Sequence, residues 1–169
     1  FEVKETNHRD PDFNSLDVKK LLEEDFINSL CAKVRLNNVY KSEKSYVTSN
    51  PETVYLSIVD RDLNAVSFIN SICHSFGSGI TTSDSGILFQ NRGVNFRLKE
   101  NHPNVIDSYK RPLHTIIPGL ITDHKNESIY SYGVMGGQYQ PVGQSHVLQN
   151  IFDYGHSVQE ALDHPRIFA

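Results

Sequence analysis

The feature of this sequence that most constrains its structure is an abrupt change of character at Thr53. Residues 37–50 are mostly polar, and Asn50-Pro51 ends this stretch. The next residues, TVYLSIVD from Thr53 to Asp60, are β-branched and aromatic, and AVSFINSIC from Ala65 to Cys73 follows after the turn residues RDLN. Exposed polar segments tolerate cleavage, and two runs of β-formers around a short turn form a hairpin. The sequence therefore predicts a cleavable linker that leads directly into a β-hairpin.

Helical patterns lie before the linker and at the end of the chain. Apolar residues between Glu23 and Leu36 recur on one face and predict a helix, whereas the opening stretch to about Ser15 is interpreted as loop. An apolar stripe from Val147 to Phe152 predicts a second helix, which Gly155 ends in a left-handed conformation. The capping-box pattern from Ser157 to Glu160 predicts a third helix, which ends before Pro165.

Further β segments lie between the first hairpin and the last helices. A short strand is predicted from Gly86 to Phe89. HTIIPGLIT from His114 and SIYSYGVMG from Ser128 predict a second hairpin around a polar turn. The order of a helix, then strands, then helices indicates sheets covered by helices.

Composition excludes several classes of function. The 169 residues are 38% hydrophobic and 21% charged, which is ordinary for a globular domain. A net charge of -4 without a dense basic run argues against a nucleic-acid surface. No apolar run approaches the roughly 20 residues that a membrane helix needs. Because the chain starts at Phe1 and stops directly after a helical pattern, we expect it to be part of a longer protein.

Familiar catalytic and metal-binding motifs are absent from the sequence. It contains no GxSxG, GxxxxGK[ST] or HExxH pattern, and its 8 histidines are scattered singly. Cys31 and Cys73 show no CxxC spacing, so we expect buried thiols rather than a zinc site or a disulfide. No metal site is predicted.

Thr53 stands where cleavage would create an unusual nucleophile. If the Glu52–Thr53 bond were broken, Thr53 would carry a hydroxyl and an α-amine whose ordinary pKa is about 7.7 to 8.0. Such an amine can take the hydroxyl proton directly or through one water, which activates a weak alcohol nucleophile. The uncut chain would then be an inactive precursor. The alternative is that threonine occurs here because it favours strands.

An acyl-transfer site also needs donors for the oxyanion. The pair Gly136-Gly137 follows a predicted strand and offers two backbone NH groups that no side chain obstructs. Glycine pairs are also common in plain turns, so this alternative stays open at the level of the sequence.

Together these segments resemble the gamma-glutamyltransferase family, also called gamma-glutamyl transpeptidases or glutathione hydrolases. TVYLSIVDRDLNAVSF resembles the start of that family's small subunit, and further motifs follow in the family's order. These are FGSGI from Phe76, GILFQN from Gly86, KRPLHTIIP from Lys110, GVMGG from Gly133 and LQNIFDYGHSVQEALDHPRI from Leu148. The resemblance is strong from Thr53 to Ala169.

The resemblance implies a fold, a maturation step and a division of the chain. The implied fold is α+β, the N-terminal-nucleophile (Ntn) hydrolase four-layer αββα sandwich, incomplete in this fragment. Residues 1–52 would be the C-terminal tail of the large subunit, and residues 53–169 the N-terminal part of the small catalytic subunit. Autocleavage before Thr53 would make it the nucleophile. Ser71 matches a hydroxyl residue that supports the nucleophile, and Gly136 with Gly137 matches the oxyanion hole.

The implied substrate pocket departs from the family pattern. Typical members read NNxMDDF where this chain reads QNRGVNF, so Asn91 matches while Arg92 and Asn95 replace residues that help to bind the glutamyl amine. Arg92 would repel an ammonium group. His114 and Thr115 replace paired serines, Cys73 an asparagine and Gln138 a serine. These changes resemble a cephalosporin-acylase-like branch of the family.

The expected activity is acyl transfer from, or hydrolysis of, a γ-glutamyl amide such as glutathione, with water or an amine as acceptor. The remainder of its own large and small subunits would be its protein partner, and no metal or organic cofactor is implied. Two alternatives stay open: an acylase of the same fold that acts on a non-γ-glutamyl amide, and a degenerate non-catalytic member. We expect the fragment alone to be inactive.

Overall fold

A computed structural model of the chain describes residues 2–13, 17–34 and 53–166. The predicted linker at 37–50 lies outside these residues. The chain divides into two compact units, one from residues 1–48 and 93–113 and the other from residues 49–92 and 114–169. None of the helices in the described ranges has the length and apolar character that crossing a membrane requires.

In its described residues, the first unit contains three short α-helices. They are α1 (Glu2–Asn7), α2 (Val18–Leu21) and α3 (Glu24–Cys31). The side chain of Asp17 caps α2 by accepting a hydrogen bond of 3.1 Å from the backbone NH of Lys19. The predicted helix at Glu23 to Leu36 is confirmed in its first part as α3, with Glu24 and Asp25 in the first turn. The interpretation of the opening stretch as loop is wrong for α1, because one and a half turns of EVKETN are too short to show an apolar stripe.

A buried carboxylate organises the rest of the first unit. Asp10 is buried and accepts hydrogen bonds from the Arg111 guanidinium at 2.6 and 3.1 Å and from its backbone NH at 2.7 Å. Arg111 also pairs with Asp12 at 2.7 Å. The ammonium group of Lys110 lies 5.2 Å from the centre of the Phe13 ring. These contacts hold the segment after α1 against residues 110 and 111.

The second unit is built on two antiparallel hairpins. In the first, β1 (Val54–Val59) pairs with β2 (Ala65–Asn70), with Val54 opposite Asn70. In the second, β3 (Gly119–Asp123) pairs with β4 (Ser128–Tyr132). Both predicted hairpins are confirmed, but β3 begins five residues later than the pattern at His114 suggested. Pro118 explains the delay, because it has no NH group for a strand ladder.

The predicted strand from Gly86 to Phe89 does not form. Leu88 makes only an isolated bridge with Thr81, and Gly86 lies in a turn with a φ of 66°. The backbone NH of Ile87 instead donates to the Thr82 hydroxyl at 3.0 Å. The prediction is wrong because the segment pairs with residues 80–82 over a single bridge, with the NH of Phe89 donating to the carbonyl of Ile80 at 2.9 Å, and the turn bond to Thr82 ends the pairing.

Tyr55 joins the two hairpins. Its hydroxyl lies 3.1 Å from the Ser67 hydroxyl on β2 and 2.8 Å from the Ser131 hydroxyl on β4. A Cβ atom at Gly133 would overlap the Tyr55 ring, so this close approach requires glycine. The Ser67 hydroxyl also donates to the carbonyl of Tyr132 at 3.3 Å. The start of β1 is therefore fixed against the end of β4.

A short 3₁₀ helix and two α-helices complete the described part of the second unit. A short 3₁₀ helix, Gly137–Tyr139, runs into α4 (Gln140–Phe152), and α5 (Val158–Asp163) follows. Gly155 has the predicted left-handed φ, at 72°, and both hydrogen bonds of the predicted capping box at α5 are present. The ring of Phe152 packs edge-on against the ring of Tyr130 of β4, with 5.2 Å between the ring centres. This contact holds α4 against the second hairpin.

Buried glutamines fix the segment that precedes β3. The backbone NH of Ile117 donates to the side-chain oxygen of Gln140 at 3.1 Å, and its carbonyl accepts from the side-chain amide of Gln144. The two cysteines differ, because Cys73 is buried as expected whereas Cys31 is exposed. The prediction of buried thiols is thus wrong for Cys31, since no residue of the short helix α3 is buried.

Candidate active site

Thr53 lies at the open end of the first hairpin, immediately before β1. Val54 pairs with Asn70, so Thr53 and Ser71 occupy the next positions at the same end of the hairpin. Thr53 is only 8% exposed, and among the described residues its hydroxyl has no hydrogen-bond partner. Buried hydroxyls are normally bonded, so an unsatisfied one needs an explanation. A nucleophile whose partners come from elsewhere provides such an explanation.

Ser71 lies in a tight turn that directs its hydroxyl oxygen. The backbone NH of Cys73 donates to this oxygen at 3.0 Å. Cys73 has a φ of 83°, in the left-handed region that asparagine and glycine occupy more readily than other residues. The turn at Ser71 therefore forms although Cys73 replaces the asparagine of the family pattern.

Gly136 and Gly137 form the approach to α4. Their φ values are 119° and 53°, and Gly137 is buried. Within the described ranges, neither backbone NH makes a hydrogen bond. Both groups precede the first turn of a 13-residue helix, where the helix dipole favours negative charge. The segment follows Gly133, which contacts the ring of Tyr55.

Arg92 lies beside Ser71 in the second unit. It is only 3% exposed, and its guanidinium donates to the Ser71 carbonyl at 2.9 Å and to the Thr115 hydroxyl at 3.0 Å. Its backbone NH donates to the side chain of Gln90. The structure thus brings together three residues that the sequence patterns indicate separately: Ser71, Arg92 and Thr115.

His114 is exposed and lies within electrostatic reach of Arg92. Partial burial of the imidazole lowers the pKa of His114, and the positive charge of Arg92 lowers it further. His114 is therefore neutral at pH 7. Its imidazole adds no positive charge to that of Arg92.

Asn91 is held by a residue that the sequence analysis did not single out. Its side-chain oxygen accepts from the backbone NH of His74 at 3.1 Å, and its amide nitrogen lies 2.9 Å from His74 Nδ1. The backbone NH of Asn91 donates to the backbone carbonyl of Ile72 at 3.1 Å. The spacing of His74 and Asn91 does not indicate this pair of hydrogen bonds, because the two residues are 17 positions apart.

Asn95 belongs to the first unit, whereas the other candidate residues belong to the second. Its amide donates to the Leu113 carbonyl at 3.1 Å, and its own carbonyl accepts from Asn104 at 2.7 Å. In the described part of the chain, no group of three or more histidine, cysteine or acidic residues is arranged to hold a metal ion.

The candidate residues carry groups of the kinds used in acyl transfer. Thr53 contributes a buried hydroxyl at the end of a hairpin, Ser71 lies at the same end, and Arg92 brings a permanent positive charge beside Ser71. Gly136 and Gly137 contribute NH groups at the start of a helix. An acyl-transfer site needs a nucleophile and donors for the oxyanion, so these groups are its candidates in this chain.

Comparison with known proteins identifies relatives of this chain. A glutathione hydrolase-like YwrD proenzyme from Bacillus subtilis is 37% identical over 157 residues, which are 93% of this chain and 29% of that protein. An oxamate amidohydrolase proenzyme from Klebsiella pneumoniae is 32% identical over 166 residues, which are 98% of this chain and 31% of that protein. The chain therefore spans about three tenths of the length of the curated relatives it matches.

A solved structure and a family model agree with these relatives. The gamma-glutamyltranspeptidase from Pseudomonas nitroreducens complexed with L-DON matches with a TM-score of 0.61 and 26% identity, covering 68% of this chain and 64% of that chain. This match confirms the prediction of an incomplete α+β fold of the Ntn-hydrolase class. The family model for gamma-glutamyltranspeptidase matches residues 1–169. The chain belongs to the gamma-glutamyltranspeptidase family.

Proposed function

We propose that this chain is part of a self-cleaving acyl transferase or hydrolase whose nucleophile is Thr53. The observation that carries the proposal is the buried hydroxyl of Thr53, which has no partner among the described residues and lies directly before β1. Membership in the gamma-glutamyltranspeptidase family supports the same assignment. Residues 1–52 would then belong to a large subunit and residues 53–169 to a small one.

Maturation would begin with attack by the Thr53 hydroxyl on the carbonyl carbon of Glu52. The C–N bond breaks as the C–O bond forms, the hydroxyl proton passes to the departing nitrogen, and an ester results. Water then hydrolyses this ester, leaving a carboxylate on Glu52 and a hydroxyl with an α-amine on Thr53. That amine has an ordinary pKa of about 7.7 to 8.0, so it can serve as a base near neutral pH.

Turnover would use the same two groups on an external amide. The amine takes the proton of the Thr53 hydroxyl, and the oxygen attacks the substrate carbonyl. The NH groups of Gly136 and Gly137 stabilise the oxyanion, with Ser71 supporting the nucleophile. The amide C–N bond then breaks, the proton passes to the leaving amine, and water or a second amine takes the acyl group from Thr53.

The substrate class is an acyl amide, and two kinds are supported. A γ-glutamyl amide such as glutathione is suggested by the relatives named glutathione hydrolase or glutathione hydrolase-like. An acyl amide without a glutamyl amine is suggested by the oxamate amidohydrolase relative and by Arg92. Hydrogen bonds with His74 would orient the Asn91 side chain for substrate binding. His114 and Thr115 would lie on the same side of the substrate as Arg92.

The test is self-processing of the full-length protein. Wild type should yield two chains on a denaturing gel, and N-terminal sequencing of one product should begin Thr53-Val54-Tyr55. Thr53→Ala should remain a single chain, since it lacks the attacking oxygen. Thr122→Ala, at an exposed threonine of β3, is the matched control and should be cut like wild type.

Two outcomes would contradict the proposal. The first is a wild-type protein that folds and stays uncut, which would favour a non-catalytic member of the family. The second is a Thr53→Ala protein that is cut at the same bond, which would show that another group performs the cleavage.

A further inference from the structure

Arg92 is a buried cation with unused hydrogen-bonding capacity. A guanidinium has five N–H donors. Two of them bond to the Ser71 carbonyl and the Thr115 hydroxyl, at 2.9 and 3.0 Å. The other three have no hydrogen-bond partner among the residues that the structure describes.

The charge of Arg92 is also uncompensated within the described ranges. The two groups that accept hydrogen bonds from its guanidinium are neutral. Among the described residues, no carboxylate forms an ion pair with Arg92. Arginine stays protonated at all physiological pH values, so it cannot escape burial by losing its proton. Taking an ion out of water is costly unless an opposite charge or further hydrogen bonds replace the solvent. An anion is therefore the group that this guanidinium lacks.

The position of Arg92 relates this charge to the nucleophile. The guanidinium is bonded to the carbonyl of Ser71, and the register of the first hairpin puts Ser71 at the same end as Thr53. Positions that face each other across two strands have Cα atoms roughly 5 Å apart. An acyl group bonded to Thr53 would therefore lie at the end of the hairpin where Arg92 is bonded to Ser71.

The neighbouring side chains favour a carboxylate over an ammonium at this place. Thr115 is neutral, and His114 is neutral at pH 7 because burial and the charge of Arg92 both lower its pKa. Arginine binds carboxylates through paired N–H groups, whereas an ammonium beside it would be repelled. A glutamyl donor brings an ammonium as well as a carboxylate, while a diacid monoamide brings a carboxylate alone.

We propose that Arg92 selects an acyl donor whose acyl group ends in a carboxylate and carries no ammonium, so that the preferred substrates are monoamides of dicarboxylic acids. This inference rests on the proposed function of Thr53. Arg92 is a specificity-determining residue in this scheme and takes no part in bond breaking.

The experiment compares p-nitroanilides on the full-length, self-cleaved protein. The probes are the monoanilides of two-, four- and five-carbon diacids, each paired with the uncharged monoacyl anilide of equal length, together with the γ-glutamyl anilide. We expect kcat/KM to be highest for one of the diacid anilides. It should exceed that of the matched monoacyl anilide by about 10- to 100-fold, the effect of hydrogen bonds to a charged group.

Variants assign this preference to the guanidinium. Arg92→Met should lower the ratio of kcat/KM for the best diacid anilide to kcat/KM for its monoacyl partner to near one. Arg92→Lys should retain part of the preference. Arg61→Met is the matched control, because Arg61 is an exposed arginine in the β1–β2 turn, and its ratio should equal that of wild type.

The outcomes separate this inference from the function on which it rests. If wild type cleaves itself and hydrolyses γ-glutamyl anilide better than every diacid anilide, Arg92 has another role and only this inference is wrong. This inference is equally wrong if Arg92→Met keeps the diacid preference. If Arg92→Met fails to fold, the wild-type ranking alone decides. If wild type neither cleaves itself nor hydrolyses any anilide, the proposed function is wrong, and this inference with it.

Discussion

At the scale of single residues, the Asp10–Arg111 pair shows how this chain stabilises a buried charge. Arg111 supplies its guanidinium and its backbone NH to one carboxylate, and Asp12 shares the guanidinium. Hydrogen bonds from Arg111 hold the pKa of Asp10 well below its ordinary value, and they outweigh the opposing effect of burial. The protonation of Asp10 is therefore linked to the folding of the first unit.

The pH dependence of this contribution has a definite sign. Because the folded-state pKa of Asp10 is lowered, the stabilisation is fully present above the unfolded value of about 3.9 and is lost as pH falls below it. Asp10→Asn in the full-length protein should lower the thermal midpoint at pH 7, and the difference from wild type should shrink between pH 4 and pH 2. Asp62→Asn, at an exposed aspartate, should change little at either pH. A difference that grows on acidification would contradict this account.

Single residues of the candidate site were predictable to different degrees. Thr53 stands out because a polar stretch meets a strand there, and that boundary is visible in the sequence. The partners of Arg92 were not predictable, because they lie 21 and 23 residues away and meet it only in the folded unit. The hydrogen bonds between Asn91 and His74 were not predictable for the same reason.

At the scale of elements, the junction between the two hairpins depends on one glycine. The Tyr55 ring lies where a side chain at position 133 would be, and its hydroxyl bonds to serines of β2 and β4. Gly133→Ala should push the ring away, weaken both bonds and cost about 1–3 kcal/mol of unfolding free energy. Urea denaturation of the full-length protein measures this loss.

The control for this substitution is Gly93→Ala. A Cβ atom at Gly93 has no other atom of the described residues within 4 Å, and Gly93 is not among the residues with positive φ. This variant should keep the stability of wild type to within about 0.5 kcal/mol. Equal effects of the two substitutions would show that the approach of Tyr55 to Gly133 contributes nothing specific.

The start of α5 provides a second test at this scale. The Ser157 hydroxyl accepts from the backbone NH of Glu160, and the Glu160 carboxylate accepts from the backbone NH of Ser157. Ser157→Ala should cost about 1 kcal/mol in the same denaturation experiment. Ser108→Ala, at an exposed serine outside any helix or strand, is the control and should be close to neutral. A neutral Ser157→Ala would show that α5 does not need its cap.

Elements with strong local signals were predicted correctly, and those that depend on context were not. The hairpin from β1 to β2 and the cap of α5 follow from alternation, turn residues and capping chemistry within a few positions. The segment from Gly86 to Phe89 has the composition of a strand but no partner strand of sufficient length, so it forms only one bridge. A strand needs a neighbour, and the local sequence does not specify one.

At the scale of the whole molecule, the first hairpin exposes an apolar face that an independently folded domain would bury. Its exposed side carries a row of large apolar residues, namely Val54, Leu56, Ile58, Val66 and Phe68. Contiguous apolar surface of this kind marks a surface that another element covers. The chain spans 29% and 31% of two curated relatives. We expect the rest of the full-length protein to cover this face.

This exposure leads to a prediction about the 169 residues expressed alone. They should bind the hydrophobic dye ANS strongly and unfold without a sharp transition, because in the described residues few apolar side chains are buried. They should also hydrolyse no anilide, since we expect residues outside these 169 to complete the proposed substrate pocket. The full-length protein is the control and should bind little dye and unfold cooperatively. A fragment that unfolds sharply and turns over substrate would show that these residues form a self-sufficient catalytic domain.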